Sequence, residues 1–231
     1  REKIMISNKI LLTSLTAAAL LLSPQQAQSV AHNLSGVWVG ASVGGAVAGS
    51  TNYKATLNGA EVLKSSEGVK GFMGEALAGL QKDFGALVLG GELVIGFGTA
   101  KTSKTAPNGE KYTADQKLSL EAAARIGFKI NDTTQIYTRV GIANTAFDRK
   151  IPVNEDATGV KAKVSKKLNG LVLGLGIEAK VKEQFLIGIE AKHTTYKEDK
   201  ANLMGNPGTT VTDTFKPKVT AVMVRFSYKI T

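Results

Sequence analysis

The chain of 231 residues contains no cysteine, which excludes a disulfide framework, a zinc–cysteine site and a thiol nucleophile. It has only two histidines, His32 and His193, so little imidazole chemistry is available. Acidic residues are in the minority, 19 Asp and Glu against 29 Lys and Arg. Long apolar runs are also lacking. Ile10 to Leu22, the most apolar stretch, is broken by Thr13, Ser14 and Thr16 and falls short of the roughly 20 residues that a spanning helix needs. A chain without disulfides must hold itself together by packing or by a closed network of hydrogen bonds.

Residues 1–31 have a basic start (Arg1, Lys3, Lys9), that apolar stretch, and small residues suited to cleavage near Ser29 or Ala31. This is the layout of a secretory signal peptide, leaving residues 32–231 as a single mature domain. Arg1, Lys3 and Lys9 against Glu2 leave with the leader, which takes the formal charge from +10 to +8. An exported chain has little access to nucleic acid, so anionic lipid or polyanionic glycan is the better partner for this excess.

In the mature domain the dominant period is two. Val37, Val39, Ala41 and Val43 alternate with Trp38, Gly40, Ser42 and Gly44, and the same rhythm recurs over Gly71–Leu80, Leu87–Phe97, Lys117–Lys129, Gln135–Ala143, Gly170–Val181, Phe185–Thr194 and Ala221–Ile230. "SLEAAARIGF" (Ser119–Phe128) resembles a helix with a Glu121–Arg125 i,i+4 pair. Its alternation, with Leu118, Leu120, Ala122, Ala124, Ile126 and Phe128 on one face, continues the strand pattern instead. Eight strands result, joined by short links ("KDFG", "NDTT", "KEQ") in alternation with long ones of about 21, 13, 18 and 20 residues.

The second face decides which side is buried. It combines glycines with Glu75, Glu92, Glu121, Arg125, Arg139, Glu178, Lys180, Glu190, Lys192 and Arg225. Glycine weakens a solvated strand and packs nothing, but inside a narrow barrel it makes room for long charged side chains. The fold expected is therefore all-β: a closed eight-stranded antiparallel transmembrane barrel of up-and-down topology, with leucines in lipid and ions inside. With the short links as hairpin centres, Glu75 falls beside Glu92 and Arg125 beside Arg139, so Glu92 or Glu121 should bridge to Arg125 or Arg139.

Four stretches carry a family resemblance: "VWVGASVGG", "LVLGGELVIGFG", "AARIGFKINDTTQIYTRVGIA" and the final "VMVRFSYKI". In this order they resemble the small eight-stranded outer-membrane β-barrels of Gram-negative bacteria, the porin-like surface antigens related to OmpA and OmpX, over nearly all of residues 35–231. The resemblance implies insertion in the outer membrane among lipid and lipopolysaccharide, and often surface exposure or contact with a host glycan or protein. It implies no enzymatic activity and no cofactor. It also implies an assembly signal in the last strand, read by the outer-membrane assembly machinery. Phe226, Tyr228 and Ile230 stand there, although Ile230 and Thr231 follow the aromatics that usually end such chains.

Other signals are weaker. "GLGIEA" matches a dinucleotide fingerprint by letter but lacks the following helix, and "GVW" resembles the start of a lipocalin, a soluble barrel, without its apolar cavity pattern. His193 beside Thr194, Thr195 and Glu198 makes a poor catalytic set and reads as an interfacial residue. The third long link concentrates Arg149, Lys150, Lys161, Lys163, Lys166 and Lys167, a candidate polyanion-binding stretch. The function expected is structural or adhesive at the cell surface, with a narrow porin as the alternative.

Overall fold

The computed structural model describes residues 34–57, 60–105, 111–152, 161–204 and 210–230; the expected leader lies outside them. Eleven strand segments follow one another as β1 (Gly36–Leu57), β2 (Ala60–Gly68), β3 (Gly71–Asp83), β4 (Leu87–Gly98), β5 (Lys101–Thr105), β6 (Lys111–Lys129), β7 (Thr134–Pro152), β8 (Lys161–Lys182), β9 (Phe185–Tyr196), β10 (Asp199–Met204) and β11 (Thr210–Lys229). Eight of them are the staves of a closed antiparallel barrel, in the order β1-β3-β4-β6-β7-β8-β9-β11, and β11 returns to pair with β1 from Trp38↔Lys229 to Leu57↔Val211. Closure leaves no strand edge within the ring, which is what a wall of backbone amides in hydrocarbon requires.

The alternation sorts the residues as the period-two pattern predicts. Leu93, Ile142 and Leu171 point outward, 65%, 69% and 51% exposed, whereas Arg139 on the opposite parity is 1% exposed. On β4 the outward apolar set runs from Leu87 to Phe97. Ten steps of about 3.3 Å, tilted by about 40°, give a band about 25 Å tall, the height expected of a lipid-facing belt. Phe84, Phe128 and Phe185 are exposed near the short-turn end, and Phe72 and Phe97 toward the other. Glu121 and Arg125 lie on one strand at a separation of about 13 Å and take partners on other strands.

The short links are turns. Phe84 N donates to Leu87 O (2.8 Å), Gly85 N donates to Asp83 Oδ1 (2.9 Å), and Gly85 adopts φ +90°, a conformation that favours glycine. This turn is centred two residues later than the expected hairpin centre, so Glu75 pairs with Gly96 and Glu92 with Gly79, not with each other. The shift is even, so every side chain keeps its face. Arg125 does stand opposite Arg139.

The long links differ from expectation more. They continue largely as sheet: β1 pairs β2 up to Leu57↔Ala60, β5 pairs β6, β7 pairs β8 up to Pro152↔Lys161, and β10 pairs β11. Their Thr and Val content suits a strand, and each backbone already has a partner in register from the barrel below.

Candidate functional site

The interior is the chemically distinctive region, and it is layered. At the short-turn end Leu34, Trp38, Val88 and Leu186 form a buried apolar cluster. Leu34 is held there from both sides: its N–H donates to Asp83 Oδ2 (3.0 Å) and its carbonyl accepts from Gln81 Nε2 (2.9 Å). Asp83 also pairs with Lys129.

Above this floor lies an ionic layer. Glu75, Glu92, Glu121, Glu178 and Glu190 face Arg125, Arg139, Lys192 and Arg225. Arg139 contacts Glu92 (2.7 Å), Glu190 (3.0 Å) and Glu121. Arg225 reaches Glu92 and Glu190, each at 2.8 Å. Arg125 pairs with Glu178 (2.9 Å) and approaches Glu92 (3.7 Å), and Lys192 binds Glu75 and approaches Glu121 (3.6 Å). The bridges anticipated between Glu92 or Glu121 and Arg125 or Arg139 are thus present.

Five carboxylates against four cations leave one formal negative charge, and neutral donors attend it. Tyr137 donates to Glu190 Oε2 (2.7 Å), Gln135 to Glu178 Oε1 (2.6 Å) and Ser42 to Glu75 Oε2 (2.7 Å). The Tyr137 ring lies 3.8 Å from the Arg125 guanidinium, a cation–π contact. Gly174 and Gly176 make these large residues fit: a Cβ at Gly174 would run into the Arg139 side chain, and one at Gly176 into the Tyr137 ring.

Lys180 does not join the layer. It sits half-exposed at the short-turn rim. β8 is ending there, and its inward parity opens to solvent.

Toward the long-hairpin end the interior becomes apolar again. Phe147, Tyr196 and Phe215 meet edge to face, with centroids 5.0 and 5.7 Å apart for the two pairs with Phe147, and Val69, Met73, Val219 and Met223 complete the layer. Cavities in and beside these layers hold about 10 Å³ each, room for about one water. Sequence reasoning missed this second plug and Tyr137. Their signal was parity: Tyr196 continues Glu190, Lys192 and Thr194, and Phe215 continues Arg225, Met223, Ala221 and Val219, past the points where the strands were expected to end.

The third long hairpin places its cations unevenly. Arg149 is buried, not solvated: it bonds Asp199 (2.5 Å) and lies over the Phe215 ring at 4.8 Å, because β7 continues inward-facing to this height. Lys166 also reaches Asp199 (3.4 Å), and Lys167 is exposed. The side chains of Lys150, Lys161 and Lys163 lie outside the described residues. Phe226, Tyr228 and Ile230 all face outward on or just after β11. Tyr228 packs against Phe185 (centroids 5.1 Å) and donates to Gln184 Oε1 (3.0 Å). His193 lies on the outer wall, bonded to Thr220 (2.8 Å) and Thr195 (3.1 Å), while Thr194 faces inward and is buried.

Comparison with known proteins adds to this geometry. A family model described as the outer membrane protein beta-barrel domain matches residues 14–229. No curated protein sequence matches the chain. Among solved structures, the outer membrane protein OprG from Pseudomonas aeruginosa superposes with a TM-score of 0.67 at 17% identity, covering 86% of this chain and 97% of its own. Neisserial surface protein A gives a TM-score of 0.43 at 15% identity, covering 85% of this chain and 98% of its own. The attachment invasion locus protein Ail of Yersinia pestis gives 0.34 at 15%, covering 81% and 99%. At 17% identity the likeness to OprG concerns the fold alone.

Proposed function

The chain belongs to the outer membrane protein β-barrel domain family, and from that premise we propose that it is a sealed barrel with a structural or surface-interaction role, carried by its long hairpins. Membership implies the outer membrane as its location. The short turns face the periplasm and the hairpins the exterior, the usual arrangement of such barrels.

One observation carries the sealed reading: apolar layers above and below bracket an ionic layer whose charges are mutually engaged. An ion crossing the barrel would have to break several buried pairs and then pass two layers where apolar side chains fill the bore and polar groups such as Thr145 with Tyr196 and Gln81 with Leu34 are already bonded to one another. Single-channel recording in planar bilayers tests this. Silence at physiological salt is expected; reproducible conductance steps would favour a narrow porin instead.

Lipid and lipopolysaccharide surround the apolar wall, and the assembly machinery reads the closing strand through Phe226, Tyr228 and Ile230. A host glycan or protein is the surface partner. Lys166 and Lys167 with the basic residues of the third hairpin support it, and Arg149 does not, since it is withdrawn into the barrel. Binding to host cells or to sulfated glycans should fall in Lys166→Gln/Lys167→Gln, which removes the exposed cations of this hairpin; unchanged binding would remove adhesion by this hairpin.

A further inference from the structure

Two small cavities flank the ionic layer, and their linings carry opposite charge. The one toward the long hairpins is lined by two carboxylates and one cation, Glu75, Glu121 and Lys192. The one toward the floor reverses the balance, with the guanidiniums of Arg125 and Arg225 against the single carboxylate of Glu92. The floor-side cavity is therefore the electropositive one. Trp38 and Ser227 line it as well, and Leu77 and Leu186 supply apolar wall. Strand parity makes this grouping: Arg225 and Ser227 are successive inward residues of β11, and Ser227 stands opposite Gly40, the inward residue of β1 next after Trp38.

The floor-side cavity is rich in donors and short of acceptors. Among the described residues, Trp38 Nε1, Arg125 Nε and Arg225 Nε are buried without a hydrogen-bond partner. Trp38 is 4% exposed and Arg225 2%. Indole and guanidinium nitrogens donate and cannot accept, so these groups cannot satisfy one another. The carboxylates beside them are already engaged. Glu92 accepts from Arg225 (2.8 Å) and contacts Arg139 (2.7 Å), Glu190 accepts from Arg225 (2.8 Å), and Glu178 pairs with Arg125 (2.9 Å). A buried donor left without an acceptor is costly. A water brings two lone pairs to three donors, together with two hydrogens that need acceptors of their own. A monatomic anion accepts from all three and donates nothing.

We propose that the floor-side cavity is a binding site for a halide such as chloride, held by Trp38 Nε1, by the Nε groups of Arg125 and Arg225, and by the Ser227 hydroxyl. Its volume of about 10 Å³ admits one monatomic ion and excludes sulfate or phosphate. The ion ties two layers together, because Trp38 belongs to the floor cluster with Leu34, Val88 and Leu186, whereas Arg225 belongs to the ionic network. The site lies inside the bore, so it holds for either orientation of the barrel in the membrane and is independent of what the long hairpins bind.

Trp38 is the only tryptophan in the chain, so its indole N–H gives one assignable resonance. The isotope-labelled barrel is refolded in detergent micelles in sodium gluconate with increasing chloride, bromide or sulfate, so that the ion is present before the interior closes. Chloride and bromide should each move the indole resonance and reach saturation, and sulfate should leave it at the gluconate position. Crystals grown in bromide should show an anomalous peak within hydrogen-bond distance of Trp38 Nε1 and Arg225 Nε. Ser227→Ala removes one donor and should weaken the apparent halide affinity about fivefold. The control Ser119→Ala, beside the other cavity, should leave that affinity unchanged. An indole resonance indifferent to halide would mean that water alone occupies the cavity, and a shift that never saturates or that sulfate reproduces would mean a general salt effect. Either result, bromide found only elsewhere, or equal loss in the two serine variants would overturn the proposal.

Discussion

Replacing Arg139 with methionine should be the most damaging single change in the ionic layer. Arg139 is 1% exposed and touches Glu92, Glu121 and Glu190, so its loss turns five carboxylates against four cations into five against three. Removing one member of a buried pair costs about 3–5 kcal/mol, because the remaining charge stays buried without compensation. With an unfolding slope of about 2 kcal/mol per molar urea, the midpoint should fall by about 2 M. Glu121→Gln moves the balance the other way, to four against four, and keeps an acceptor for Arg139 and Lys192. It should cost about 1 kcal/mol or less. The lone tryptophan, Trp38, is buried in the floor layer and reports unfolding by fluorescence in lipid vesicles, with heat-modifiable gel migration as a second probe. If Arg139→Met and Glu121→Gln shift the midpoint equally, the layer is not held by charge balance and this reasoning fails.

Gly176→Val should lose about 1–3 kcal/mol through overpacking against Tyr137, measured by the same unfolding; an unchanged midpoint would show that the ring can move aside. Phe147→Ala/Phe215→Ala opens only the upper plug, so bilayers should stay silent, because the ionic layer and the floor remain closed; conductance in this double variant would show that neither of them seals. Asp83 accepts the Leu34 N–H and pairs with Lys129, so Asp83→Ala should lower the hydrogen-exchange protection of the Leu34 amide at neutral pH; unchanged protection would assign the clamp to another group.

Barrel, strand count and facing were legible in the sequence because side-chain parity in a strand is local: a period of two survives whatever lies across the sheet. Glycines beside Glu and Arg on one face, with leucines on the other, were enough to turn the wall inside out relative to a soluble protein. Hairpin extent was only partly legible. Asn58-Gly59, a dipeptide that two-residue hairpins favour, sits between β1 and β2, yet Lys- and Thr-rich flanks read as loop when the partner strand is unknown.

The sequence by itself thus determined which face of each stave turns inward, since alternation is a property of one strand. Only the tertiary structure decided whom they meet. A two-residue displacement of one turn moved Glu75 away from Glu92, and barrel closure brought Arg225 of the last stave to Glu92 of the third. Partners in a closed barrel depend on the register summed around the ring, and no single strand carries that sum.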